Sequence, residues 1–111
     1  MGLRESRQDN GVVVIHVEGQ LVITNRAELK DRLQDRLAAG DRRFVIDFTG
    51  TPYIDSSGLG ALVTIAKRIR EEGGDIRLAG LNDDLRQLFE LTKLDTLFSI
   101  SATPDQALAA F

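Results

Sequence analysis

Apolar positions recur along this chain in two periods, and the alternation between them predicts its elements. Val12 to Glu18 reads VVVIHVE, a β-branched run between Asn10-Gly11 and Gly19, and predicts a strand. The turn signal Asp9-Asn10-Gly11 pairs it antiparallel with a shorter strand near Leu3–Gln8. Helical spacing then takes over, with Leu29, Leu33 and Leu37 four residues apart. Asn25 is the expected cap of this helix, with Glu28 in the capping-box position and Gly40 as the stop. Phe44-Val45-Ile46-Asp47-Phe48 is nearly continuous in apolar residues, which predicts a strand covered on both faces. Thr49-Gly50-Thr51-Pro52 turns the chain.

From Leu59 the stripe Leu59, Leu62, Val63, Ala66, Ile69 marks one face of a second helix that ends at Gly73-Gly74. Ile76 and Leu78 alternate along the next strand. Asn82 caps a helix whose buried side carries Leu85, Leu88 and Phe89, and a short strand near Leu97–Ile100 follows. Thr103-Pro104-Asp105-Gln106 opens the last helix with a cap, a first-turn proline and a capping-box glutamine. The predicted order is β-β-α-β-α-β-α-β-α. The expected fold class is therefore α/β: one domain over residues 1–111, with a mixed, mostly parallel sheet of four to five strands, an antiparallel N-terminal strand and about four helices.

Composition narrows the function. The chain has 111 residues, 42% hydrophobic and 28% charged, with a net charge of −3, 5% aromatics and no Trp. It lacks the basic face and stacking aromatics of nucleic-acid binders, so no direct nucleic-acid partner is expected. Without cysteine there is no disulfide framework, thiolate metal site or cysteine nucleophile, which fits a cytoplasmic protein. No run approaches the length of a membrane span. Met1-Gly2-Leu3-Arg4-Glu5-Ser6 matches the loose pattern for N-myristoylation, but reads more simply as the approach to the first strand.

One stretch departs from this ordinary picture. Tyr53-Ile54-Asp55-Ser56-Ser57-Gly58-Leu59-Gly60 follows the Phe44–Phe48 strand and opens the second helix. That places it at the carboxyl edge of the sheet, where functional loops of open α/β folds gather. Asp and Ser are common helix caps. A serine hydrolase would need a base within reach, and G-x-S-x-G is absent. The only histidine, His16, alternates with Val14 and Glu18 and reads as a half-exposed strand residue. The P-loop pattern is missing, and no lysine lies near Gly58 or Gly60. A phosphate attached covalently to serine is a different matter. The helix N-terminus would tolerate it, while its near-double negative charge beside Asp55 would repel a partner.

The segment VIDFTGTPYIDSSGLGALVTIAKRI resembles the signature of STAS domains, and within them most resembles the stand-alone anti-sigma-factor antagonists. The resemblance continues through GGDIRLAGLNDDLRQLFELTKLDTLFSISATPDQALAAF. It implies a protein–protein switch rather than an enzyme, with no catalytic residue, cofactor or metal. In the family an anti-sigma factor that is also a GHKL-type serine kinase phosphorylates the serine after the aspartate, here Ser56. The unphosphorylated form binds that kinase and releases the sigma factor for transcription; a serine phosphatase restores the modified form. The implied contact residues are Asp47, Asp55, Ser56, Ser57, Gly58 and Leu59, with small Gly60 and Ala61 leaving backbone accessible. Two positions depart from the pattern: Val22 stands where many antagonists carry an acid, and Lys93 where glycine often precedes the leucine. The alternative implied by the same family is a cytoplasmic STAS accessory subunit of a lipid-type ABC transporter, or a scaffold subunit of a stress-signalling complex. Lys67, Arg68 and Arg70, and Arg26, Arg32 and Arg36 among Asp31 and Asp35, read as solvated helix faces.

Overall fold

A computed structural model describes residues 1–111. In chain order it contains β1 (Gly2–Arg7), β2 (Val13–Glu18), α1 (Arg26–Ala38), β3 (Arg43–Asp47), α2 (Ser56–Glu71), β4 (Asp75–Ala79) and α3 (Asp83–Leu91). A single 3-10 turn (Leu94–Thr96), β5 (Ser99–Ser101) and α4 (Pro104–Ala109) complete it. The five strands lie side by side in sequence order. β1 runs antiparallel to β2, and β2 through β5 are parallel, as the alternation of strands and helices predicted.

Because each parallel crossover steps to the adjacent strand with the same hand, α1, α2 and α3 all fall on one face of the sheet. There Val13, Ile15, Phe44, Ile46, Ile76 and Leu78 meet Leu33, Leu62, Ile65, Ile69 and Phe89 in the main core. α4 folds against the other face, where Ala107, Leu108 and Phe111 cover Val12, Val14, Val45 and Ala79. β3 is thus covered on both sides, which accounts for its continuous apolar run.

Several local expectations change. Asn25 does not cap α1. Its Oδ1 accepts from Val22 N–H at 2.9 Å and its Nδ2 donates to Gln20 O at 2.9 Å, so the side chain closes the preceding loop instead. Arg32 and Arg36 are more than a solvated face: they reach Glu5 of β1 at 3.5 and 3.8 Å. The last strand is Ser99–Ser101 rather than Leu97–Ile100, because the 3-10 turn takes up the residues before it and leaves Leu97 exposed. Leu88 is half-buried, and Ile65, absent from the predicted stripe of α2, is buried. Lys93 adopts φ +63, the left-handed region that favours glycine.

Candidate functional site

The serine turn is built by two loops that run side by side beyond the ends of β2 and β3. Leu21 and Ile54 form a parallel bridge, Leu21 N–H donates to Tyr53 O at 2.9 Å, and Asp55 N–H donates to Leu21 O at 3.1 Å. These bonds deliver Asp55 as the cap of α2. Its Oδ1 accepts from Gly58 N–H at 2.8 Å and its Oδ2 accepts from Ile23 N–H at 3.1 Å. One carboxylate therefore starts the helix and pins the β2–α1 loop beside it.

Ser56 and Ser57 occupy the first two helical positions. Their N–H groups precede the first intrahelical bond and have no acceptor in the chain, and neither hydroxyl has a hydrogen-bond partner. Ser56 is exposed and Ser57 half-buried. Ile23 and Tyr53, 63% and 53% exposed, are the large apolar side chains that the two loops leave in solvent. With no base on either hydroxyl, the turn has no nucleophile–base pair, and it can receive a group more readily than it can activate one.

The structure divides the six residues expected to form one contact surface. Asp55, Ser56 and Ser57 stay together at the surface. Gly58 and Leu59 are buried beneath them. Gly58 serves packing: a Cβ there would stand 2.7 Å from Leu21 O and 2.9 Å from Ile54 Cγ2, so only glycine lets α2 approach the β2 loop this closely. Asp47 is also removed from the surface reading. Its side chain projects from the sheet face opposite α2, shared with Val45, and is buried. Its Oδ2 lies 2.7 Å from His16 Nδ1, and its Oδ1 accepts from Thr49 N–H at 3.0 Å and Thr49 Oγ1–H at 2.5 Å. Burial pushes the Asp47 carboxyl up, but the hydrogen bonds from Thr49 and His16 outweigh it and hold the group below its ordinary range.

The His16–Asp47 pair was not foreseen from sequence. The two residues face each other across β2 and β3 in register, although 31 positions separate them in the chain. The signal that could have found the pair is a polar residue directly after an apolar run in each of two strands, Val13-Val14-Ile15 before His16 and Phe44-Val45-Ile46 before Asp47. Elsewhere no three His, Asp or Glu side chains converge as a metal site would require. No helix is long and apolar enough to cross a membrane.

Comparison with known proteins matches residues 4–107 to the STAS domain model. The chain belongs to the STAS domain family. Within it, several of its relatives are named anti-sigma factor antagonists. The anti-sigma-B factor antagonist of Listeria monocytogenes is 31% identical over 93 residues, covering 84% of this chain and 82% of that one. The anti-sigma-B factor antagonist of Bacillus subtilis is 28% identical over 96 residues, covering 86% and 87%. A crystal structure of an anti-sigma factor antagonist from Mycobacterium paratuberculosis superposes with a TM-score of 0.87 at 26% identity, covering 98% of this chain and 92% of that one. The STAS assignment expected from sequence agrees with these findings, and the expected mixed sheet of four to five strands is observed with five.

Proposed function

We propose that this STAS protein is a cytoplasmic anti-sigma-factor antagonist switched by phosphorylation of Ser56. The unphosphorylated form binds an anti-sigma factor that is also a GHKL-type serine kinase and so releases the sigma factor. The kinase adds a phosphate to Ser56, and a serine phosphatase removes it. The observation that carries this reading is the state of the serine turn. Ser56 is exposed at the head of α2 with an uncommitted hydroxyl and no base of its own, while Asp55 fixes the backbone around it through two hydrogen bonds. A substrate serine needs that combination of rigidity and access. A phosphate there meets the positive end of the helix dipole, so the fold tolerates it while the surface changes sign.

The test is the intact mass of the protein from its own host in two growth states, followed by binding of the co-purifying kinase to Ser56→Ala and Ser56→Asp. A phosphate on Ser56 with changing occupancy, with binding kept by Ser56→Ala and lost by Ser56→Asp, is the expected result. Equal binding by both variants removes charge at Ser56 as the switch. Permanent co-purification with a permease or transport ATPase and no phosphate in either state would replace this reading with the transporter-accessory one.

A further inference from the structure

Gly60 is a residue of α2 that the fold leaves unexplained. A glycine inside a helix lowers stability relative to alanine. At Gly58 the crowding of Leu21 and Ile54 demands it, but a Cβ at Gly60 would meet nothing within 4 Å. Nothing inside the chain asks for glycine at this position. A body passing close to the helix from outside does.

The surroundings of Gly60 describe that body. Ser56, Gly60, Val63 and Lys67 are spaced i, i+4, i+7 and i+11, and so lie along one face of α2. Beside Val63 this face drops into an open trough of about 450 Å³ whose apolar surface comes from Val63, Ala66, Leu97 and Phe98. Lys67, Arg70 and Glu71 form its rim, and Leu97 is 47% exposed there. On the other flank a second groove of about 400 Å³ runs between α1 and α2, where Arg26 and Lys30 face Gly60, Ala61 and Thr64.

Seven of the fourteen Lys and Arg side chains, among them Arg42, Arg43, Arg86 and Lys93 elsewhere on the molecule, have no acidic partner, and three of the seven line the trough and the groove beside Gly60. Arg4, Arg7, Arg32, Arg36, Arg68, Arg70 and Arg77 each have an acidic partner in the chain. Arg26, Lys30 and Lys67 have none, although the chain as a whole carries −3. Unpaired positive charge therefore flanks an apolar trough and an open glycine on the same helix as Ser56.

We propose that the Ser56–Lys67 face of α2 receives an acidic amphipathic helix of the partner, crossing at Gly60. One apolar side chain of that helix sits in the trough against Val63 and Leu97, and its carboxylates meet Lys67 on one side and Arg26 and Lys30 on the other. The missing Cβ lets the two backbones approach more closely than side chains would allow. This inference rests on the proposed antagonist role for the partner's identity and deepens it: a phosphate on Ser56 sets a near-dianion at the head of the same row, in the path of an acidic helix.

The test uses the whole protein, isotope-labelled for NMR, titrated with an amphipathic Glu/Leu peptide of about five helical turns. The same peptide with every Glu replaced by Lys is the control. Expected shift changes fall on Gly60, Val63, Lys67 and Leu97 and on Arg26 of α1, and are lost with the Lys peptide. Arg26→Glu combined with Lys67→Glu weakens binding by about tenfold or more. Gly60→Ala moves two readouts in opposite directions, raising the thermal midpoint of the free protein while weakening the peptide. A residue with only a structural role would move both the same way. Absence of binding, equal binding of both peptides, or shifts that map to another face overturns the proposal. The Ser56 reading is untouched by those outcomes, because the mass of the host protein decides it separately.

Discussion

Asp47 and Asp55 are two carboxylates at the same edge of the sheet, and they do opposite things with their surroundings. Around Asp47 the polar groups are spent on one another. His16 and both donors of Thr49 converge on it in a half-buried cluster on the α4 side of the sheet. Asp55 binds two backbone N–H groups and in doing so holds its neighbours in the open, leaving the N–H groups and hydroxyls of Ser56 and Ser57 without partners. A saturated cluster is what a fold uses to fix a loop, since a buried polar group left unpaired is costly. Unspent donors on a rigid frame are what a surface offers to another molecule. The contrast separates support from site more clearly than the presence of aspartate does.

The hardest blow to the closed cluster is Gly80→Ala. Gly80 has φ +76, and a Cβ there would lie 2.8 Å from Asp47 Oδ1 and 2.9 Å from Thr49 N. Strain in the backbone and overpacking act together, so a loss of about 3 kcal/mol is expected in urea unfolding. Set beside the stabilising Gly60→Ala, the same chemical change would have opposite signs in the two regions. A loss below about 1 kcal/mol would mean that the cluster shifts easily and is not the rigid half of the comparison.

Asp47→Ala comes next. It leaves His16 and the Thr49 donors without their acceptor and is expected to cost about 2 kcal/mol at neutral pH. Its pH dependence carries a sign. The folded-state pKa lies below the ordinary carboxyl value of 3.8. The ionised group therefore contributes stability that is fully present above that value and is lost as pH falls through the folded pKa. Urea midpoints taken from neutral pH downward should show wild type and Asp47→Ala converging only in that acid window. A gap that stays constant through it would assign the effect to packing rather than to the carboxylate.

The two regions also differ in how far the sequence discloses them. The serine turn is local: cap, serines and glycines are contiguous, and the strand before them and the helix after them have strong periodicity. Asp55, Ser56 and Ser57 could be placed from spacing alone. The Asp47 cluster depends on the register between β2 and β3, which alternation does not specify, so His16 read as a bland strand residue and Asp47 as a contact. Asn25 failed for a related reason, because its side chain found partners in Gln20 and Val22 on the loop behind it. Gly58 and Gly60 look alike in sequence; only the approach of Leu21 tells the buried one from the exposed one. The left-handed φ at Lys93 is a backbone conformation that favours glycine, and periodicity gives no sign of it.

The smallest effects on stability are expected within the open region itself. Asp55→Ala removes the cap of α2 and the acceptor of Ile23 N–H, and should cost about 1 kcal/mol. Ser56→Ala removes a hydroxyl that has no partner, one residue away, and should change unfolding by less than about 0.5 kcal/mol. Function should order the same pair the other way. If the surface reading is right, Ser56→Ala abolishes phosphate uptake altogether, whereas Asp55→Ala leaves the serine present but on a looser turn, slowing its modification without removing it. Unfolding curves and kinase-dependent mass shifts on the two variants measure both orders. Should Ser56→Ala prove as destabilising as Asp55→Ala, the hydroxyl is part of the frame, and the line drawn between support and site at residue 55 has to move.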